Sequence, residues 1–374
     1  MMKKMIPFAA AEYAVIALYQ SFSSLYFADK GLETAQLAWV QAAVPLASLL
    51  GQPLWGALAD KLSRTWMLRS VILAAAVAVC LLPLGQNVLT LAALAGLFAF
   101  FQTSIQPLGD ALILPALNQA GEKLGNLRIV ASLAAMLVAL AAGYGFSVQN
   151  AWLPWTVAGL LLWTLGFSFL LPKSAAPSGE KSRWSELWKN RRFLLLLAFS
   201  LPLQCSLGFF FCYFPVYFTD TLGGSSSLLG WAYALGAACE IPFLLLADGL
   251  FARFGPGKLL LGTGLCLALR YGLLALCPAS GWALATQILA FGGFGALSFA
   301  MAKAASLLIP QRLAARAQTL VALAGFSLSR GISLAAGGAL TKAFSMNTCF
   351  LLAAGLCGAA LLCLGKRLWQ TDFS

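Results

Sequence analysis

Apolar runs of about twenty residues follow one another along the whole chain, separated by short gaps of charged, glycine or proline residues. A membrane-crossing helix needs about 20 mostly apolar residues, and charge, Gly and Pro mark helix ends. These rules predict twelve helices, at 6–28, 36–59, 66–85, 88–113, 128–148, 151–171, 192–218, 227–250, 258–277, 282–303, 317–341 and 345–364. The split at Gly85-Gln86-Asn87 carries no charge, but a single helix over 66–113 would be far too long for a bilayer. The first run has no clean small-residue cleavage point and is interrupted by Glu12, so it reads as a retained helix rather than a removed signal peptide.

Composition supports the membrane reading. Of the 374 residues 61% are hydrophobic and 10% charged, against about 25% charged in a soluble domain. The net charge of +12 would suit nucleic acid, but its distribution says otherwise. With the N-terminus in the cytoplasm, 20 of the 24 basic residues fall on the cytoplasmic side. Lys30 and Lys342 face outside, and Arg270 and Arg330 lie within helices. The positive-inside rule then places both termini in the cytoplasm, and topology rather than nucleic-acid binding accounts for the charge. The chain has no histidine, and its nine cysteines are scattered without a CxxC pair, which excludes His-based zinc and haem sites and argues against a disulfide scaffold. It also lacks a GxxxxGK[ST] loop for ATP.

The longest interruption, PKSAAPSGEKSRWSELWKNR at 172–191, separates six predicted helices from six. It reads as a cytoplasmic linker between units 1–171 and 192–374. The units echo each other: Tyr-Phe-x-Asp opens both 26–45 and 217–236, Ala-Asp recurs at 59–60 and 247–248, and ALILP at 111–115 resembles SLLIP at 306–310. The expected fold is thus an all-α membrane protein, with twelve transmembrane helices in two parallel, pseudo-symmetric six-helix bundles around a central cavity.

GALADKLSR at 56–64 resembles the loop 2–3 signature of the major facilitator superfamily, G-x-x-x-D-[RK]-x-G-[RK]-[RK]. Gly56, Asp60, Lys61 and Arg64 match, Ser63 stands where Gly is usual, and Thr65 replaces a basic residue. The second copy keeps Asp248 and Arg253 but has Leu244 for the leading Gly. Within the superfamily, YFADKGLETAQLAWVQAAVPLASLLGQPLWGALAD, PLGDALIL, LGAACEIPFLLLAD and CLALRYGLLAL resemble the group containing lactose permease and nucleoside–proton symporters, most of all its phenylpropionic-acid permeases. The resemblance implies coupling roles for Glu240 in helix 8 and Arg270 in helix 9. It also expects a histidine and an acid in helix 10, where this chain offers Lys303 and no acid.

Charge at mid-membrane costs several kcal/mol on the lipid face, so Glu240, Arg270, Arg330 and Glu12 are expected to face a cavity or a partner. Glu240, Arg270 and Glu12 are the candidates for proton coupling; the alternative for Glu240 and Arg270 is a permanent structural salt bridge. Arg330, Tyr19 and Tyr213 are candidates for the substrate cavity. Asp60, Lys61, Arg64, Asp110, Arg128 and Asp248 are candidates for a cytoplasmic gate, with a plain topogenic turn as the alternative at 60–65 and a structural pair at Asp110 and Arg128. The function expected is secondary active transport of a small organic solute (aromatic acid, sugar or nucleoside) across the inner membrane by alternating access, with proton symport. A facilitator or exporter without proton coupling is the alternative, and an enzyme or channel the rival from another class. No cofactor is expected beyond the proton gradient. The partners are a small molecule and the bilayer, with no nucleic acid and no obligate protein partner, so the chain would act as a monomer.

Overall fold

The computed structural model describes residues 2–120, 124–146, 150–172, 185–309, 317 and 320–370. Its regular structure there is helical. Ten of the described helices are long and apolar enough to cross a membrane, and a shorter apolar one covers Ile129–Gly145. Large apolar side chains stand outward, Leu89 at 79% and Leu362 at 85% exposure. Such a surface suits lipid rather than water.

Local chemistry sets the helix ends. Helix α1 (Ile6–Asp29) has a proline in its first turn, and α2 (Thr34–Lys61) opens with a reciprocal Glu33–Gln36 capping box. At the start of α3 (Arg64–Cys80), the Ser63 hydroxyl accepts from the Trp66 N–H. Ser63 departs from the signature's glycine, yet supplies a helix cap there. The uncharged split at 85–87 is real: a 3-10 turn at Leu82–Leu84 ends the segment, and an Asn87–Thr90 capping box opens α4 (Val88–Gln102).

The expected span 88–113 is present as Val88–Ile113, with a break inside it. The span at 88–113 is broken at Thr103–Ser104 and resumes as α5 (Ile105–Gln119). Pro107 has no N–H to return to the Thr103 carbonyl, and the Gln52 side chain of α2 donates to that carbonyl at 3.2 Å. Helix α5 runs to Gln119 and α6 (Leu124–Phe146) starts before the expected 128, so both helices reach past the expected bounds here. Asp110 sits inside α5. Helix α7 (Leu153–Ser168) completes the first part of the chain.

After a short α8 (Ser185–Lys189), α9 (Arg191–Val216) ends in a π turn at Tyr217–Thr221. Helix α10 (Ser226–Ala275) covers two predicted spans, broken at Gly255, where φ is +73°. The next predicted span is α11 (Ser280–Ala285), a 3-10 stretch at Thr286–Gly292 and α12 (Phe294–Leu308). A π turn at Leu323–Leu328 leads into α13 (Ser329–Ala343), and α14 (Met346–Trp369) follows.

The repeated Tyr-Phe-x-Asp segments end alike. Each helix stops before a glycine in the left-handed region, Gly31 at φ +83° and Gly223 at φ +64°. Tyr26 lies five positions before the first and Tyr217 six before the second; the π turn absorbs the extra residue. The two parts of the chain meet where α2 packs on α13, α6 on α10 and α1 on α9. Residues 173–184 of the expected linker lie outside the described residues, as do 310–316.

Candidate functional site

A central cavity opens between α1, α2 and α4 on one side and α9 and α13 on the other. It offers about 60 Å³, and one water needs roughly 10–15 Å³ on the same scale. There is room for a handful of waters. A larger solute needs the walls to part.

The walls are chemically unequal. Helices α1, α2 and α4 bring the neutral amides of Gln20, Gln41 and Gln102 with Ser23 and Thr103, whereas α13 brings the cation Arg330 and α9 the ring of Phe211. The Arg330 guanidinium lies over that ring, its Cζ 5.0 Å from the centroid. Gln41 Nε2 donates to the hydroxyls of Ser23 and Ser24 at 3.0 and 3.1 Å. Ser24 in turn donates across the seam to the main-chain oxygen of Cys212 at 2.7 Å. Tyr19 is 7% exposed and lines the cavity, and its hydroxyl has no hydrogen-bond partner among the described residues. Its ring tilts against Phe98, centroids 4.7 Å apart.

Tyr19 and Arg330 both line this cavity. Tyr213 does not. It is fully buried, with its hydroxyl bonded to the Leu334 carbonyl at 3.3 Å and its ring 4.6 Å from that of Phe209. A tyrosine that has satisfied its hydroxyl within the helix packing has no group left to offer a solute, and its neighbours Phe211 and Cys212 line the cavity instead.

Glu240 and Arg270 form a second cluster, away from the cavity lining. Their charges act on each other, but each has its own direct partners. Arg270 is buried, donates to the Gln287 side-chain oxygen and lies over the Phe210 ring, Cζ 4.2 Å from the centroid. Its Nε finds no acceptor among the described residues. The Glu240 carboxylate lies against the start of α12, within reach of the Phe294 and Gly295 backbone. The first N–H groups of any helix are unspent, and the helix dipole favours an anion there. Glu12 is also buried, 5% exposed on α1.

Of the gate candidates, Arg64 borders a separate space of about 130 Å³ with Gln52, Gly56 and Ser104, all from the first part of the chain. Asp110 is half-buried on α5. The side chains of Asp60, Lys61, Arg128 and Asp248 lie outside the described residues. Arg69 is a clamp between helices, reaching the Ser168 carbonyl at 3.4 Å and the Phe169 ring at 3.9 Å.

Residues 11–352 match the family described as the MFS_1 like family. The chain belongs to the major facilitator superfamily. A maltose permease of Geobacillus stearothermophilus is 27% identical over 345 residues, covering 91% of this chain and 87% of that protein. A probable 3-phenylpropionic acid transporter of Escherichia coli K12 is 28% identical over 207 residues, 53% of each chain. The crystal structure of the nucleoside transporter NupG superposes with a TM-score of 0.81 at 15% identity, covering 99% of this chain and 99% of its own, a likeness of fold. This facilitator is a secondary active transporter that moves a small solute across the membrane, a multi-pass inner-membrane carrier rather than an enzyme.

Charge and tyrosine do not mark every polar group buried in this facilitator. The amides Gln20, Gln41, Gln102 and Gln287 lie inside apolar helices, where an uncharged polar group also needs a partner. Mid-helix glutamine is the sequence signal that marks them.

Proposed function

We propose that the protein is a proton symporter for a small organic anion bearing hydroxyl or amide groups. The observation that carries this is the composition of the cavity: one arginine on α13 faces glutamine amides and the unsatisfied Tyr19 hydroxyl. Arg330 would hold a carboxylate by a charge-assisted, bidentate contact, and Gln20, Gln102 and Tyr19 would take the polar groups at the other end. The phenylpropionic-acid permeases remain the branch whose substrates fit best.

Glu240 would carry the proton, and Arg270 would favour its release. In this reading the ten apolar helices, with Ile6–Asp29 and Leu124–Phe146, make twelve spans in units 1–171 and 192–374, joined by linker 172–191. Both termini are cytoplasmic, and the carrier acts as a monomer. Asp60, Lys61, Arg64, Asp110, Arg128 and Asp248 would close its cytoplasmic end. Glu12 would be a reserve proton site.

The test is uptake by proteoliposomes, with and without an inward proton gradient, of radiolabelled gluconate, 3-(3-hydroxyphenyl)propionate, 3-phenylpropionate, maltose and uridine. The expected result is gradient-dependent uptake of a hydroxylated acid, lost in Arg330→Ala. Uptake of maltose or uridine that survives Arg330→Ala would overturn the anion assignment.

A further inference from the structure

The cavity and the Glu240 cluster are separate, and two aromatic rings bridge the space between them. Phe211 is half-buried, lines the cavity and carries the Arg330 guanidinium on its face. The edge of that ring system meets Phe294, with centroids 6.4 Å apart and planes at 85°. Phe294 is the first residue of α12, between the two glycines against which the Glu240 carboxylate lies.

The fit there is close. Gly293 precedes α12 with ψ −138° and offers no side-chain cap, and Glu240 brings its carboxylate to that end from another helix. A Cβ on Gly295 would lie 2.6 Å from Glu240 Oε2, and one on Gly293 would lie 3.4 Å from Oε1. On the other side of the Gly293 break, the 3-10 stretch carries Gln287, the partner of Arg270. The acid and the base are thus attached to the two sides of one broken helix. Phe210 and Phe211, adjacent on α9, touch different parts of this arrangement. Phe210 is fixed beneath Arg270, fully buried and stacked on Phe214 at 4.5 Å. Phe211 faces the cavity, where a solute would displace it.

We propose that Phe211 and Phe294 are positioning residues that link the solute cavity to the Glu240 carboxylate. A solute against Arg330 displaces the Phe211 ring, which moves Phe294 and the N-terminus of α12, and so changes the surroundings of Glu240. This rests on the reading of Glu240 as the proton carrier. Arg270 and Cys239 are the charged and titratable groups whose fields reach Glu240, with Tyr233 and Tyr271 beside Arg270. Lys303, farther along α12, lies over Phe251 and Phe299. Substituting the two phenylalanines leaves every one of these groups in place.

The link can be tested without knowing the solute. In the full chain in nanodiscs, the infrared carboxyl band abolished by Glu240→Gln is titrated with pH in wild type, F211A, F294A, F211A/F294A, F211Y and G295A. An edge-on aromatic pair is worth enough to move the midpoint by about half to one pH unit. F211A is expected to move it by that amount, F211Y to keep the wild-type value, and F211A to add nothing once Phe294 is gone. G295A, which crowds the carboxylate directly, should move it in either background; if the alanine variants do not fold, Phe211→Leu and Phe294→Leu make the same cycle. An unchanged midpoint in F211A, or an equal F211A shift with and without Phe294, overturns the link while leaving Glu240 as carrier. A wild-type protein with no titrating band sensitive to Glu240→Gln overturns both.

Discussion

Gly143 of α6 and Gly230 of α10 meet backbone to backbone: a Cβ added at 143 would lie 2.8 Å from the Gly230 Cα and 2.9 Å from the Ser226 oxygen. Beside them the Trp231 indole donates to the Tyr144 hydroxyl at 3.0 Å. Small residues allow such close approach between helices. These contacts lie near the C-terminal end of α6 and the N-terminal end of α10, on the side away from the chain termini, so that end of the seam is closed.

Gly143→Val should therefore prop this end open. Disulfide formation in the pair Y144C/W231C, on an otherwise cysteine-free background, is expected to be fast in the parent and to fall at least about tenfold with valine at 143, since a penalty of about 1.4 kcal/mol suffices for that. Equal cross-linking with and without the valine would mean that the close contact is not what holds the ends together.

Ser63 offers a test of local chemistry. Loss of a serine N-cap costs about 1 kcal/mol when alanine replaces it and only a few tenths with glycine. Thermal unfolding in detergent should rank wild type above Ser63→Gly and Ser63→Gly above Ser63→Ala. The reverse order for the two variants would remove the capping role.

Arg69 is predicted to support structure rather than transport. Arg69→Ala gives up the Ser168 carbonyl and the Phe169 ring contact, together worth about 1 kcal/mol. Its Tm should fall while the proton dependence of uptake stays as in wild type. Loss of gradient-driven uptake at normal stability would place it in the gate instead.

The hydrophobic pattern made the helices legible, because a bilayer sets their length and their ends carry charge, Gly or Pro. The break at 103–104 was not legible, since it depends on Gln52 reaching the carbonyl that Pro107 leaves unserved. The same limit applied to the coupling cluster. Glu240 and Arg270 stand out as charges in apolar sequence, which leaves a direct salt bridge between them open. Gln287 and the notch at Gly295 take up their direct contacts, and both belong to a helix whose break at Gly293 has no proline to announce it. Tyr213 failed as a cavity residue for a related reason: whether a hydroxyl is satisfied depends on Leu334, 121 residues away.

The central claim, that a proton on Glu240 drives solute movement, is tested most directly by Glu240→Gln in proteoliposomes loaded for two assays on the same preparation. The solute is whichever of gluconate and 3-(3-hydroxyphenyl)propionate the wild-type protein takes up. Exchange of solute already on both sides should persist and its apparent affinity should lose its pH dependence, while uphill accumulation under an inward proton gradient should vanish. Arg270→Ala should be less harmful in the Glu240→Gln background than alone, because the field of Arg270 acts on a charged Glu240 and not on a neutral amide. Undiminished uphill accumulation by Glu240→Gln at saturating solute would contradict the account.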